Sequence, residues 1–382
     1  MFGYFLLQNK LPRKVMRKSK QKGVIIISVL LIVGVIAGLA VKYTADYQLS
    51  LARAESRWHS IQARAFLTGS ESIVSLLFKS ADIDPNTDYI GEPWSNEVPI
   101  IDEGISGYAQ LIDATNKLNL NDLKHELSRD KPMGSPDRYS EHQRRFIRLL
   151  QTFPELQITQ QQAEGLLEAV VDWIDEDTME SGTYGAESSY YQGLATPYFA
   201  ANQLFRSVEE LRLVRGFDEM PELYIRLQPF ITALPKADVG VNLNTLDIYI
   251  QQAYEQDGTF ANNLARSLGS QQSLTPLDDS QAIQLFSDRP GTGFSDLESF
   301  IEEWKKLMGP EELLANEGLN VKTQFFWLMA RVQMGDQRIT VKSLFERADT
   351  ESGIKVISRA DVYEMPAARK KDELKQTKLF SR

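Results

Sequence analysis

Lys22-Gly23-Val24-Ile25-Ile26-Ile27-Ser28-Val29-Leu30-Leu31-Ile32-Val33-Gly34-Val35-Ile36-Ala37-Gly38-Leu39-Ala40-Val41 contains 18 consecutive residues, 24–41, without a charge. As a helix this run is about 27 Å long at ~1.5 Å per residue, close to a hydrocarbon core of about 30 Å. Upstream stand Lys10, Arg13, Lys14, Arg17, Lys18, Lys20 and Lys22 with no acid among them, and Asp46 follows. Positive charge on the near side predicts a single span with the N-terminus inside. A cleaved secretory signal fits less well, because its apolar region is normally ~7–15 residues with a small-x-small site behind it. Here the run is longer, and Ala37 to Ala40 offers only a weak site. A plain membrane anchor is the other simple reading.

The rest of the 382-residue chain has ordinary globular composition, 42% hydrophobic and 25% charged, and its length allows two or three domains. The first 23 residues carry +7, so a total of −10 leaves −17 on the other 359. That acidity argues against nucleic-acid binding. There is no cysteine, which excludes disulfides, thiolate zinc sites, iron–sulfur ligation and a cysteine nucleophile. The absence also suits an oxidising compartment. Three histidines, His59, His125 and His142, are too few for a His-rich metal site.

Beyond Val41, Tyr47, Leu51, Ala54, Trp58, Ile61, Ala65, Ser72 and Leu76 recur at steps of three, four and seven, one face of a helix. The spacing predicts a nearly continuous helix over 24–79, half in the membrane and half packed on a domain by that face. Residues 82–104 read as loop and 105–112 as a strand. Asn119, Asn121 and Asp122 are cap and turn formers. Three-four spacing predicts helices over 144–150, 160–174, 200–214 and 220–231, then over 246–256 and 295–308, with 257–295 polar and turn-rich. Three strand-like segments close the chain, 323–334, 338–345 and 354–358, before a charged tail at 365–382. They predict a sheet for the N-terminal helix to pack on.

The densest polar constellation is Asp172-Trp173-Ile174-Asp175-Glu176-Asp177, followed by Glu180 and Glu187 around a Gly-rich loop. Hard carboxylates around a turn are the donors Ca²⁺ uses, although the spacing is not that of an EF-hand. Solvated acids at a helix end are the plain alternative, and glycosidase-type acid/base work is another. Leu234 to Thr245 resembles the hairpin of a helix–hairpin–helix unit, but the acidic surroundings favour a structural helix pair over phosphate contact. His125 and His142 read as surface residues. No nucleophile elbow, P-loop, dinucleotide fingerprint or HExxH is present.

The Lys-rich leader ending at Lys22-Gly23, directly before the apolar helix, resembles the class III leader of type IV pilins and pseudopilins. In those proteins a prepilin peptidase cuts after the glycine, here between Gly23 and Val24, and the new N-terminus is methylated. Most members carry Glu at mature position five; here that position is Ser28. The departure is typical of the K-type minor pseudopilin of the type II secretion system. With LIDATNKLNLNDL (111–123), AVVDWIDED (169–177), GAESSYY (185–191), VEELRLVRGF (208–217), LQPFITALP (227–235), VNLNT (241–245) and FFWLMARVQMGD (325–336), most of the chain resembles that family.

The resemblance implies an α+β pseudopilin fold, a long N-terminal transmembrane helix on a small antiparallel sheet, with a large inserted α-helical domain. The expected divisions are a cleaved leader (1–23), the N-terminal helix (24–79, with 24–41 transmembrane), a pseudopilin α/β domain (80–112 and 311–364), the helical insert (113–310) and the tail (365–382). The resemblance further implies no enzymatic activity and calcium bound by Asp172, Asp175, Asp177 and Glu187. Its implied partners are the I- and J-type minor pseudopilins, the major pseudopilin, the inner-membrane assembly platform, prepilin peptidase and exoprotein substrates. The place is the inner membrane, with a periplasmic C-terminal domain. The role is to cap or initiate a pseudopilus that drives folded proteins through the outer-membrane secretin. A minor subunit of a type IV pilus and a membrane-anchored periplasmic hydrolase are the alternatives.

Overall fold

The computed structural model describes residues 22–79, 83–102, 105–247, 261–334, 337–347 and 353–362. Leader residues up to 21, most of the helix expected at 246–256 and the tail at 365–382 lie outside them. Helix α1 runs Lys22–Leu77. Its hydroxyls are satisfied internally: Ser28, Thr44, Ser50 and Thr68 each donate to the carbonyl four residues back. Within the apolar run 24–41 the one hydroxyl, Ser28, is thus spent inside the helix, as a hydrocarbon phase demands. The chain divides into two compact units with the boundary between Ile61 and Gln62.

In the second unit the last turns of α1 bury Ala63, Leu67 and Val74 against a sheet. The stripe read from the sequence is a different one: Tyr47, Leu51, Trp58, Ile61 and Leu76 are all exposed. Ala63, Leu67, Ser70 and Val74 are offset from that stripe by two residues, about half a helical turn. Ala63 and Ser70 face the sheet together with the larger Leu67 and Val74, and Phe66 and Leu77 pack partly against the same core.

The sheet is antiparallel throughout and larger than three strands. Strands β1 (Val98–Asp102) and β2 (Ile105–Asp113) form one edge. After two short parallel pairs, β3 (Leu118–Asn119) with β4 (Ile231–Thr232) and β5 (Val241–Asn242) with β6 (Leu319–Asn320), come β7 (Phe325–Met334), β8 (Gln337–Arg347) and β9 (Ile354–Val362). The order is β1-β2-β7-β8-β9. β1 falls in the segment read as loop. Pro99 within it cannot donate to a ladder, and an edge strand is where that is tolerated. Phe326, Leu328, Ala330, Val332 and Met334 alternate along β7 toward the α1 side, with Phe78 and Trp94 edge-on to Phe326 at 4.8 and 5.2 Å. Phe325 and Leu344 pack on the opposite face with Ala114, Leu234 and Val239.

β2 and β7 are neighbours, with Asp113 opposite Phe326, yet residues 114–324 lie between them in sequence. This insertion holds helices α2 (Glu141–Leu150), α3 (Gln160–Ile174), α4 (Ser188–Gln192), α5 (Pro221–Leu227), α6 (Asn263–Arg266), α7 (Asp279–Ser287) and α8 (Leu297–Met308). Capping boxes start α2 at Ser140/Gln143, α3 at Thr159/Gln162 and α7 at Asp278/Gln281. Its own core includes Phe146, Leu167, Trp173, Phe205, Phe286, Phe300 and Trp304. Each such side chain contributes about 1.5–3 kcal/mol by leaving water.

Three expectations fail here. The helix read over 200–214 is extended chain followed by a short 3-10 segment, Val208–Leu213, because Asn202 at φ 43 and the Ser207 cap interrupt any helix before it. The stretch 257–295, read as turns, contains α6 and α7. The 234–245 segment, expected as a structural helix pair, instead leads into the short strand Val241–Asn242 and spends its polar groups internally. The Val239 and Gly240 amides donate to the Asp122 carboxylate, and Asn242 and Asn244 are buried.

The neck of the insertion is a buried polar knot. The Asp113 carboxylate accepts from the Thr115 amide and hydroxyl, both at 2.6 Å, and from the Thr245 and Thr323 hydroxyls at 2.5 and 2.6 Å. The Asp88 carboxylate takes the Arg347 guanidinium bidentately at 2.6 and 2.7 Å and the Thr323 amide at 2.7 Å. Both ends of the insertion are thereby tied to the sheet.

Candidate functional site

The acidic run closes α3. Asp172 lies in its last turn and Asp175 is the C-cap, where the backbone turns extended. The chain then doubles back. Glu168, one turn earlier, receives Arg138 at 2.8 Å and the Tyr184 amide at 3.0 Å, and the Asp172 carboxylate accepts the Ser181 amide at 2.9 Å. Glycines make this return possible. A Cβ on Gly185 would stand 2.3 Å from Asp172 Oδ2, and one on Gly182 would stand 2.2 Å from the Glu168 carboxylate. The return delivers Glu187 to the end of α3.

Asp172, Asp175 and Glu187 then offer carboxylate oxygens within 4.8 Å of one another. Asp172 is fully buried and Glu187 is 3% exposed. Asp172 Oδ2, Asp175 Oδ1 and both oxygens of Glu187 are buried with no hydrogen-bond partner of normal geometry. Orphaned buried carboxylate oxygens are costly and rare in folded proteins. Burial, and then the neighbouring charges of Asp172 and Asp177, push the Asp175 carboxyl up to about 7; burial, Asp172 and Asp175 do the same to Glu187. Burial also raises Asp172. Crowded, dehydrated oxygens of one sign are the donor set of a hard cation such as Ca²⁺. Asp177, the fourth expected ligand, is exposed outside this trio, with Oδ1 accepting the Met179 amide at 2.7 Å.

Gly23 and Val24 fall in the first turn of α1, and the Ser28 hydroxyl donates to the Val24 carbonyl at 2.9 Å. The helix includes a window long and apolar enough to cross a membrane.

A second constellation escaped the sequence reading. His142 is buried, not a surface residue, and its ring stacks on His125 with centroids 5.8 Å apart. Asp238 Oδ1 stands 2.8 Å from His125 Nε2. Burial, with the Arg145 charge, presses the His142 imidazole down to about 3, so it is neutral. No local pattern joins positions 125, 142 and 238; only the fold of the loop before β5 does.

A family model for type II secretion system (T2SS), protein K matches residues 116–236. Type II secretion system protein K of Aeromonas hydrophila is 30% identical over 336 residues, covering 86% of this chain and 93% of that protein. Its counterpart in Pseudomonas aeruginosa is 27% identical, covering 89% and 92%. Among solved structures, a chain of the GspK–GspI–GspJ complex from the enterotoxigenic Escherichia coli type 2 secretion system is 23% identical with a TM-score of 0.61, covering 82% of this chain and all of that one. The fold is therefore that of the solved chain. With a relative alike over nearly its whole length, the chain belongs to the type II secretion system protein K family.

Proposed function

We propose that this chain is the minor pseudopilin at the tip of the type II secretion pseudopilus, where it initiates or caps assembly and helps export folded proteins through the outer-membrane secretin. The observation that carries the reading is the insertion at 114–324, more than half of the chain, placed between two adjacent strands of a sheet that also packs α1. A head of that size does not fit along a packed shaft but fits at its end. Ser28 supports the same position. Its hydroxyl is satisfied within its own helix, so it asks nothing of a neighbour's N-terminal amine.

In this reading prepilin peptidase removes residues 1–23 and the Val24 amine is methylated. The apolar run holds the chain in the inner membrane with the head in the periplasm. The I- and J-type minor pseudopilins form the tip complex with it, a reading supported by the solved GspK–GspI–GspJ complex. The major pseudopilin and the assembly platform are further partners. Calcium held by Asp172, Asp175 and Glu187 would fix the end of α3 to the returning loop, a structural role. We assign no catalysis to these carboxylates; Asp172 and Glu187 are buried. The test is copurification from wild-type cells with N-terminal sequencing. The expected result is a chain starting at Val24 that brings down both I- and J-type subunits. A chain that starts elsewhere, or that captures neither subunit, overturns the reading.

A further inference from the structure

His125, His142 and Asp238 converge from three separate segments, each offering a donor atom within 4.8 Å of the others. None of them belongs to the acidic cluster at the end of α3. The donors differ in kind as well. Two imidazoles and one carboxylate make a borderline set, suited to zinc rather than calcium. From this geometry we propose that the three residues bind a divalent transition-metal ion, with zinc as the fitting ion, water completing a tetrahedron.

Three further features agree. First, Asp122 Oδ2 stands 3.7 Å from His142 Nδ1, just beyond hydrogen-bond range. The Val239 amide, the Gly240 amide and the Asn119 side chain hold that carboxylate in place. A carboxylate fixed behind an imidazole is the usual support of a metal-binding histidine, leaving the other ring nitrogen to offer its lone pair. Second, Asp238 is one of the few non-glycine residues with left-handed backbone, φ 59. That conformation costs about 1 kcal/mol and is kept where surrounding structure enforces it. Here the two amides that follow Asp238 are locked onto Asp122, and the side chain is thereby aimed at His125. Third, access is graded. The His142 side chain is 4% exposed, His125 33% and Asp238 55%. One anchored ligand and two reachable ones let an ion enter from solvent. Tetrahedral bonds of about 2.0–2.2 Å place ligand atoms about 3.4 Å apart, so closing the site draws the donors together by about 1–1.5 Å and turns the stacked imidazoles out of parallel so that both lone pairs meet the ion. The ion would clamp the start of α2 to the loop leading into β5.

The test uses full-length protein in detergent, without a polyhistidine tag. It is stripped with a chelator, saturated with Ca²⁺ and titrated with Zn²⁺ against a chromophoric competitor. Wild type is expected to bind one zinc per chain with micromolar or tighter affinity, and to give tetrahedral visible bands with Co²⁺. His125→Ala and Asp238→Ala alter partly exposed side chains, so the metal-free melting temperature should hold. Each should weaken zinc at least about tenfold and abolish the Co²⁺ bands. A wild type that takes up no zinc, or variants that bind it as tightly as wild type, would overturn the proposal. Calcium binding at the α3 cluster is read separately, in the Zn²⁺-free melting temperature, and neither result decides the other.

Discussion

Glu187 is 3% exposed with both carboxylate oxygens unpartnered, beside Asp172 and Asp175, each with one buried oxygen unpartnered. If a cation satisfies them, chelation must expose their mutual repulsion. EGTA is expected to lower the wild-type melting temperature, and added Ca²⁺ to restore it. Glu187→Gln should lose that calcium response while melting at or above wild type in EGTA, since it removes one of three crowded charges at little change of volume. Calorimetry with and without chelator reads both arms; an unchanged calcium response in Glu187→Gln would remove the residue from the site. Gly185→Ala tests the loop by steric means. Its Cβ would meet Asp172 Oδ2 at 2.3 Å, so a loss of about 1–3 kcal/mol is expected together with the calcium response. A catalytic role would behave differently, losing turnover at Asp172→Ala with stability intact. At this scale the grouping of carboxylates was legible where the residues are near neighbours. Asp172 and Asp175 share a helix end, and a glycine loop points to the return of Glu187. Asp177 looked equivalent because sequence spacing does not reveal that its carboxylate caps the Met179 amide instead.

Among elements, the readable ones are those whose signal is local. α2 and α3 combine three-four spacing with a capping box, and β7 and β8 are rich in aromatic and β-branched residues. α7 also carried its box at Asp278 and Gln281, but its surroundings are polar enough to hide it. α1 misled the reading of its packing face because it has two apolar stripes. Periodicity alone does not say which of the two stripes meets the sheet; Ala63, Leu67 and Val74 do. The polar knot at the neck had no periodicity to read, since only Thr115 is local to Asp113, and Thr245 and Thr323 reach it through the fold. It makes a pH prediction. Burial raises the Asp113 carboxyl above its ordinary range, against its four hydrogen bonds. A carboxyl raised in the folded state favours folding while protonated, so its contribution is present at pH below about 4 and lost as pH rises through the folded value. Asp113→Asn cannot ionise, and the hydroxyls of Thr245 and Thr323 can turn to accept from its amide. Its stability relative to wild type should therefore rise between pH 4 and pH 8, as followed by chemical denaturation. A constant difference across that range would show that Asp113 keeps an ordinary titration.

The whole molecule joins an apolar helix, a five-stranded sheet and a helical head that leaves and re-enters the sheet between neighbouring strands. Its net charge sorts in the same way. The first 23 residues hold +7 and the remainder −17. Position 28 connects this plan to assembly. A carboxylate there would sit in an apolar environment at a cost of several kcal/mol unless a neighbour's amine paired with it. The serine avoids that cost by donating to the Val24 carbonyl. A tip subunit has no neighbour above to supply the amine, so Ser28→Glu should strand a charge. In cells lacking the resident copy, Ser28→Glu is expected to reduce the amount of exported protein in the medium and the recovery of this chain with its I- and J-type partners. Ser28→Ala removes only an internal hydrogen bond worth about 1 kcal/mol and should support export as the parent does. Export at the parental level by Ser28→Glu would mean that an amine is within reach of position 28, and the chain would then belong within the shaft and not at its end.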